Sequence, residues 1–324
     1  MSLRRSGPVL AVLLLLGTSP ARADDQPVPS TRLFSFADDA IFESSGLVDR
    51  GDVVYTIDDS GDDAVVYGVD PGSGRTLSRT TYADSVEDVE ALAPGAGGTV
   101  WAGDIGDNLH RRDDVSVYRV TPDGGDQRAP RYRLRYPDGP HDAETLLVHP
   151  RTGQVLVVSK SVFGGTVYAA PRRLDAGRDN RLRAFARVGG LVTDGTFFPD
   201  GRHVLLRTYG TASVYTFPAF ELVGTVRLPA QPQGEGISVG TDGRVLVSSE
   251  GVHSDVLRVR LPASLTASPV PSAPTGPTPD AAPPAPVPDR PQPSRDWLDW
   301  LEIGAVGAVV GAAAWVTART ARPR

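Results

Sequence analysis

The sequence has no cysteine among its 324 residues. Disulfides are therefore excluded, and an exported domain built from this chain must rely on its hydrophobic core. Lysine is almost as rare, since Lys160 is the only one and arginine supplies the other basic side chains. The formal net charge of -6 argues against nucleic acid as a partner.

The common catalytic motifs are also missing. The chain has no Gly-x-Ser-x-Gly nucleophile elbow, no zinc-binding HExxH helix and no Walker phosphate loop. Its five histidines show no metal-ligand spacing. His141 is the best placed of them because it lies close to Glu144, but we expect a surface role for it. No catalytic residue is therefore assigned from motifs.

The N-terminal residues 1–23 have the three parts of a secretory signal peptide. Arg4 and Arg5 form the basic start, Val9 to Leu16 is an uninterrupted apolar run, and Ala21 and Ala23 are the small residues before a cleavage site. The apolar run is too short for a permanent membrane anchor. We expect the mature chain to begin at residue 24, outside the cytoplasm.

The C-terminal end predicts a membrane anchor. Residues 262–296 are rich in proline and alanine and are expected to form an extended linker. Residues 297–318 form an apolar segment with tryptophans near its ends, and the basic tail 319–324 indicates that the C-terminus is cytoplasmic. The alternative is a buried core helix. Gly307 and Gly311 form a GxxxG pattern that would permit a weak dimer.

Residues 24–261 predict an all-β domain. Short runs rich in β-branched residues alternate with turn clusters such as Pro122-Asp123-Gly124 and Pro199-Asp200-Gly201. No part of this region has a convincing helical period. The predicted strands are 53–57, 65–69, 115–120, 154–159, 203–207 and 244–248.

One unit recurs five times in this region. It consists of an acidic residue, an apolar strand, a tight turn and a second strand, and the successive acids are about 40 to 55 residues apart, as expected for propeller blades. The acids are Glu43, Glu90, Glu144, Asp194 and Glu235. We predict a five-bladed β-propeller, with six blades as the alternative, in which an N-terminal strand at 31–36 closes the last blade and hides its edge.

The repeated acids are predicted to converge on one end of the central channel. A ring of carboxylates suits Ca²⁺, which takes about six to eight oxygen ligands, and Asp104 and Asp107 add further carboxylates in an Asp-rich loop. Lys160, Arg207 and Asn108 are candidate ligand-binding residues. Two alternatives need no ligand: Lys160 and Arg207 could pair with some of the acids, or each acid could be bound to backbone N–H groups of the neighbouring blade.

Four short motifs resemble those of secreted bacterial β-propellers. They are Glu43-Ser44-Ser45-Gly46, Asp104-Ile105-Gly106-Asp107-Asn108, Asp142-Ala143-Glu144 and Gln233-Gly234-Glu235. More distantly, the region from Phe34 to Leu261 resembles the esterase-like phytase and SdiA-regulated propeller families. The resemblance implies the propeller fold and, by analogy, a cation in an acidic channel.

Two classes of function follow from these expectations. The first is a membrane-anchored extracellular binding or scaffold module, stabilised by calcium, whose partner is a protein, a glycan or a phosphoester. The alternative is a calcium-dependent hydrolase acting on a phosphoester, with Lys160 and Arg207 receiving the phosphate. Glycoside hydrolysis by two carboxylates is a further, weaker alternative.

Overall fold

The computed structural model describes residues 26–59 and 63–266. The expected signal peptide, the basic tail, the apolar segment 297–318 and most of the linker lie outside these residues. Among the residues described, no helix is both long enough and apolar enough to span a membrane.

The described residues form an all-β fold with short connections. The strands, in chain order, are β1 (Ser30–Ser35), β2 (Ser44–Asp49), β3 (Val54–Asp58), β4 (Val65–Val69), β5 (Thr76–Thr81), β6 (Val89–Pro94), β7 (Val100–Asp104), β8 (Val115–Val120), β9 (Gly125–Asp126), β10 (Arg131–Arg135), β11 (Ala143–Val148), β12 (Val155–Ser159), β13 (Thr166–Ala169), β14 (Asn180–Arg181), β15 (Arg183–Arg187), β16 (Asp194–Phe197), β17 (His203–Arg207), β18 (Thr211–Thr216), β19 (Leu222–Arg227), β20 (Gly234–Val239), β21 (Val245–Ser249) and β22 (Asp255–Val259). A 3-10 turn at Ala96–Gly98 and a one-turn helix α1 at Ala263–Thr266 complete the elements.

These strands form five separate sheets, which are the five predicted blades. Their strand orders are β2-β3-β4-β5-β9, β6-β7-β8-β10-β14, β11-β12-β13-β15, β16-β17-β18-β19 and β20-β21-β22-β1. The first strand of each blade contacts the first strand of both neighbouring blades, so the five sheets form a closed ring. The five-bladed prediction is confirmed, and the six-bladed alternative is wrong for the described residues.

The N-terminal strand closes the ring as predicted. β1 pairs antiparallel with β22, with Ser30 opposite Val259 and Ser35 opposite Asp255. The two ends of the fold therefore meet in one blade, and backbone groups that would otherwise form an open sheet edge are hydrogen-bonded.

The core consists of five apolar layers, one between each pair of adjacent blades. Val48 and Ile57 of the first blade pack with Leu92 and Val100 of the second, for example, and the other four interfaces are built in the same way. Each blade is covered on both faces, which explains why its strands are apolar runs and not alternating patterns.

The short helix α1 occupies the first residues of the expected linker. Its Leu265 is buried against the apolar layer between the fourth and fifth blades. The folded region thus extends slightly beyond residue 261, the predicted end of the propeller, and includes the first residues of the predicted linker.

Candidate functional site

The candidate site lies at the end of the ring where the innermost strands begin. Each innermost strand pairs antiparallel with the second strand of its blade, so its first residues lie beside the last residues of that second strand. Both segments carry acids, and we call this end of the ring the acidic end. Four of the five predicted acids are buried there, and Glu43 is half-buried; the buried four are Glu90, Glu144, Asp194 and Glu235.

Three of these acids sit in β-bulges at equivalent positions. In the strand pairing, Glu90 and Glu144 each have no partner residue on the second strand, and the same is true of Glu235 and Gly236. A bulge turns the extra residue out of the regular alternation and re-aims its side chain. We call Glu90, Glu144 and Glu235 the bulge acids, and each comes from a different blade.

The first blade has its bulge at Gly46 instead of at an acid. Gly46 has a φ of +70°, and a Cβ there would lie 2.4 Å from the backbone nitrogen of Leu92 in the next blade. Only glycine fits this conformation and this close approach. Glu43 precedes the strand and aligns with Asp88 of the second blade, because Ser44 and Val89 occupy equivalent paired positions. The sequence repeat treats Glu43 and Glu90 as equivalent, but the two residues occupy different positions relative to the strand pairing, and that alignment is therefore wrong.

Glu43 belongs to a second group of carboxyls. Glu43, Asp58 and Asp59 each offer a carboxylate oxygen, and these oxygens lie within 4.8 Å of one another. Asp58 also accepts hydrogen bonds from the backbone N–H groups of Phe42 and Glu43, at 2.7 and 2.8 Å. We call Glu43, Asp58, Asp59 and Glu250 the mouth acids, because all four are only partly buried.

The mouth and bulge acids act on one another across the channel. Burial raises the pKa of Asp59 to about 9, with further increases from Glu250, Glu43 and Glu235. Burial also raises the pKa of Glu235 to about 8, with Glu250 adding to the increase. Since these groups come from the first and fifth blades, their carboxyls converge on one region.

The second blade contributes in the same way. Burial raises the pKa of Glu90 well above its usual value, and Asp88 and Asp59 raise it further. The pKa of Asp88 rises to about 6 through burial and the nearby Asp142. Asp88 was not among the predicted site residues. Asp59 and Glu250 directly follow second strands, whose ends are expected from the sequence to lie at this end of the channel, although neither acid was chosen as a metal ligand.

Lys160 is the lysine of this cluster of acids. It forms an ion pair with Glu144 Oε1, and its charge lowers the pKa of Glu90, Glu235 and Glu250. Among the described residues, Glu144 Oε2 is buried and has no hydrogen-bond partner. A buried carboxylate oxygen without a partner costs about 1–3 kcal/mol or more, so this atom indicates a place for a further donor or a cation.

Asp104 and Asp107, two predicted metal ligands, are engaged by the protein itself. Asp104 Oδ1 lies 2.8 Å from Arg112 Nη2, and Asp107 accepts hydrogen bonds from the backbone N–H groups of Arg111 and Arg112. Asn108 is exposed in the same loop. The carboxylates of this loop are therefore already bound by Arg112 and by backbone N–H groups.

Asp194 and Arg207 join the fourth blade to the fifth. Asp194 Oδ2 accepts a 2.7 Å hydrogen bond from the N–H of Ile237. The guanidinium of Arg207 is fully buried and donates to the carbonyls of Gly236 and Ser248, at 2.8 and 3.0 Å. For this pair the geometry matches the structural alternative, in which the acid binds backbone groups of the neighbouring blade.

His141 lies in a cluster of its own. Its Nε2 is 3.0 Å from Asp138 Oδ1 and 2.8 Å from the hydroxyl of Tyr168. These contacts account for the ring without involving Glu144.

Comparison with known proteins gives only remote likenesses. No family model matches the chain, and no curated protein matches it either. The solved structures that resemble it include the glutaminyl cyclase of Myxococcus xanthus, at 11% identity and a TM-score of 0.48, which matches 72% of this chain and 98% of its own. A luciferin-regenerating enzyme matches at 12% identity and a TM-score of 0.42, over 72% of this chain and 95% of its own.

The gluconolactonase XC5397 of Xanthomonas campestris gives a similar result. It matches at 15% identity and a TM-score of 0.45, over 71% of this chain and 89% of its own. Such low identities and TM-scores say nothing about activity, and the propeller fold rests on the sheet order. The finer resemblance to phytase-like propellers is supported by none of these matches.

Proposed function

We propose that this protein is an extracellular binding propeller whose acidic end holds a hard divalent cation, most readily Ca²⁺. The observation that carries this proposal is the convergence of the mouth acids and bulge acids around one lysine. Carboxylate oxygens are the ligands that Ca²⁺ prefers, and its six to eight coordination positions suit a crowded set of them.

The electrostatics of the cluster support the proposal. Burial, and after it the neighbouring carboxylates, raises the pKa values of Asp59, Glu90 and Glu235. A bound divalent cation would reverse that effect and favour the ionised carboxylates. The buried Oε2 of Glu144 would gain a partner.

The cellular placement in this proposal comes from the two ends of the sequence. Residues 1–23 are proposed to direct export, and residues 297–318 to anchor the chain with the propeller outside the cell. Mass spectrometry of the mature protein should find residue 24 at its N-terminus. Protease added to intact cells should remove the propeller and leave a small membrane-bound fragment.

The hydrolase alternative receives less support from the geometry. A phosphate would need open cationic side chains, but Arg207 is fully buried against carbonyl oxygens and Lys160 is paired with Glu144. A binding role that needs only a cation and its carboxylate ligands fits the arrangement better.

Thermal melting of the purified full chain tests the cation site. After chelation, calcium at 100 times its dissociation constant should stabilise the folded state by about 2.7 kcal/mol, which for a domain of this size raises the melting temperature by roughly 5–11 °C. Magnesium should have a smaller effect because it demands a tighter octahedral site.

Two matched variants locate the effect. Glu144→Gln should abolish most of the calcium-induced increase, whereas Glu221→Gln, at an exposed position outside the acidic end, should leave it unchanged. A melting temperature of the unmodified chain that does not respond to calcium would sink the cation proposal.

A further inference from the structure

The exposed large apolar side chains are unevenly distributed. The described residues include eight of them, and three of these lie on the fourth strands of their blades, β5 and β19. The other five lie in loops: Phe42, Leu109, Val162, Phe163 and Val252. We call these five residues the apolar rim.

The apolar rim lies at the acidic end, in loops of the first, second, third and fifth blades. Phe42 lies two residues before β2, and the other four lie in loops that leave the second strands β7, β12 and β21. Those strands finish beside the first residues of the innermost strands, because Asp104 pairs with Val89, Ser159 with Ala143 and Ser249 with Gly234. All four loops therefore emerge at the same end as the mouth acids.

Parts of the rim are in direct contact or adjacent. The carbonyl of Phe42 accepts a 2.6 Å hydrogen bond from the N–H of Gly251, so Phe42 and Val252 lie side by side across the junction of the first and fifth blades. Val162 and Phe163 form a second pair, with Phe163 68% exposed. Large apolar side chains that stay exposed together at one end of a fold mark a candidate protein-binding surface.

We propose that the acidic end, with its apolar rim, binds a protein segment in which a lysine or arginine is flanked by apolar side chains. The basic group would enter between the mouth acids Glu43, Asp58, Asp59 and Glu250, and the flanking side chains would cover the rim. This inference goes beyond the proposed function, since it concerns a partner and does not require the cation.

Charge complementarity selects this occupant. The acidic end gathers the mouth acids, the bulge acids and Asp88, and its lysine is already paired with Glu144. One divalent cation would offset only part of that negative charge. Anionic lipid head groups would be repelled, and a neutral glycan would leave the carboxyls without a counter-charge.

Selection from a random peptide display library on the purified full chain tests the proposal. Enriched peptides should carry a basic residue next to aromatic or aliphatic ones. One enriched peptide, labelled with fluorescein, is then measured by anisotropy. Phe42→Ser with Phe163→Ser should weaken its binding about tenfold or more, as expected for exposed aromatic anchors.

The matched control replaces two exposed apolar residues on the fourth strands β5 and β19. Leu77→Ser with Leu222→Ser should leave the affinity of the peptide unchanged within about twofold. Glu43→Gln with Glu250→Gln should weaken binding of the basic peptide and reduce its salt dependence, because the variant removes two of the four carboxylates that attract the basic group.

Several results would overturn the proposal. They are the absence of enrichment, enrichment of acidic or uncharged peptides, and equal losses in the rim variant and its control. A dimer in sedimentation that dissociates in the Phe42→Ser, Phe163→Ser variant would make the rim a self-interface instead. The peptide assay is run in calcium and in chelator, beside the thermal melting experiment, to separate this proposal from the cation site. If the peptide binds but calcium does not stabilise the chain, the peptide proposal is retained and the cation proposal is rejected.

Discussion

Arg207 offers the sharpest test of the distinction between structural and ligand-binding residues at the acidic end. Its guanidinium is fully buried and donates to the carbonyls of Gly236 and Ser248 in the next blade. Burial lowers its pKa to about 10, so the group stays charged at neutral pH. Replacement by methionine keeps much of the volume of the side chain and removes every donor.

The cost of Arg207→Met follows from the groups left behind. Two buried carbonyl oxygens lose their partner at about 1–3 kcal/mol each, and Asp194 loses the positive charge that lowers its pKa. We expect the free energy of unfolding to fall by about 4 kcal/mol. That corresponds to a decrease of roughly 8–16 °C in melting temperature for a domain of this size.

Urea denaturation of the full chain measures the effect, with an unchanged m-value as the check that only stability has altered. The control is Arg258→Met, an exposed arginine on β22, which should change stability by no more than about 0.5 kcal/mol. If Arg207→Met were as stable as this control, and the unmodified chain bound inorganic phosphate while the variant did not, the structural interpretation of Arg207 would be wrong and the hydrolase alternative would return.

Two further predictions concern protonation and packing. The folded-state pKa values of about 9 for Asp59 and about 8 for Glu235 exceed the unfolded values of about 4, so the folded chain binds more protons than the unfolded chain. In chelator, the free energy of unfolding should therefore fall as the pH rises from about 5 to about 9. Urea midpoints across this range should show the decline, and a rise would contradict the raised pKa values. Gly234→Ala should destabilise the chain by about 1–3 kcal/mol because its Cβ would collide with Arg207 Nη2. The control is Gly210→Ala, whose Cβ would have no atom within 4 Å and which should melt like the unmodified protein. Equal melting temperatures of the two variants would show that the packing at Gly234 gives way.

The fold was largely predictable because each blade repeats the same local signals. Turn clusters and β-branched runs placed strands at 65–69, 115–120 and 203–207, and the structure has strands at those same positions. The unpaired strand at the N-terminus and the missing strand at the C-terminus together predicted ring closure. Sequence spacing sufficed here because a blade is built from local hairpins.

The site was less predictable because it depends on register. A bulge adds one residue to one strand, and the sequence does not show where pairing slips. The recurring acids were therefore aligned by type, which placed Glu43 with Glu90 although it aligns with Asp88. Burial was a second unknown: nothing in the sequence distinguishes Arg207, which donates to backbone carbonyls, from an arginine open to a ligand.

Ring closure by β1 also sets the order in which the chain can finish folding. The side chain of Ser35 bonds to that of Asp255, 220 residues later, and synthesis delivers the N-terminal strand first. β1 must wait without its partner until the last strand of the fold has been made, and contacts of such long sequence separation form slowly. The four blades between them can assemble one after another, but the ring becomes a closed unit only in a single late step.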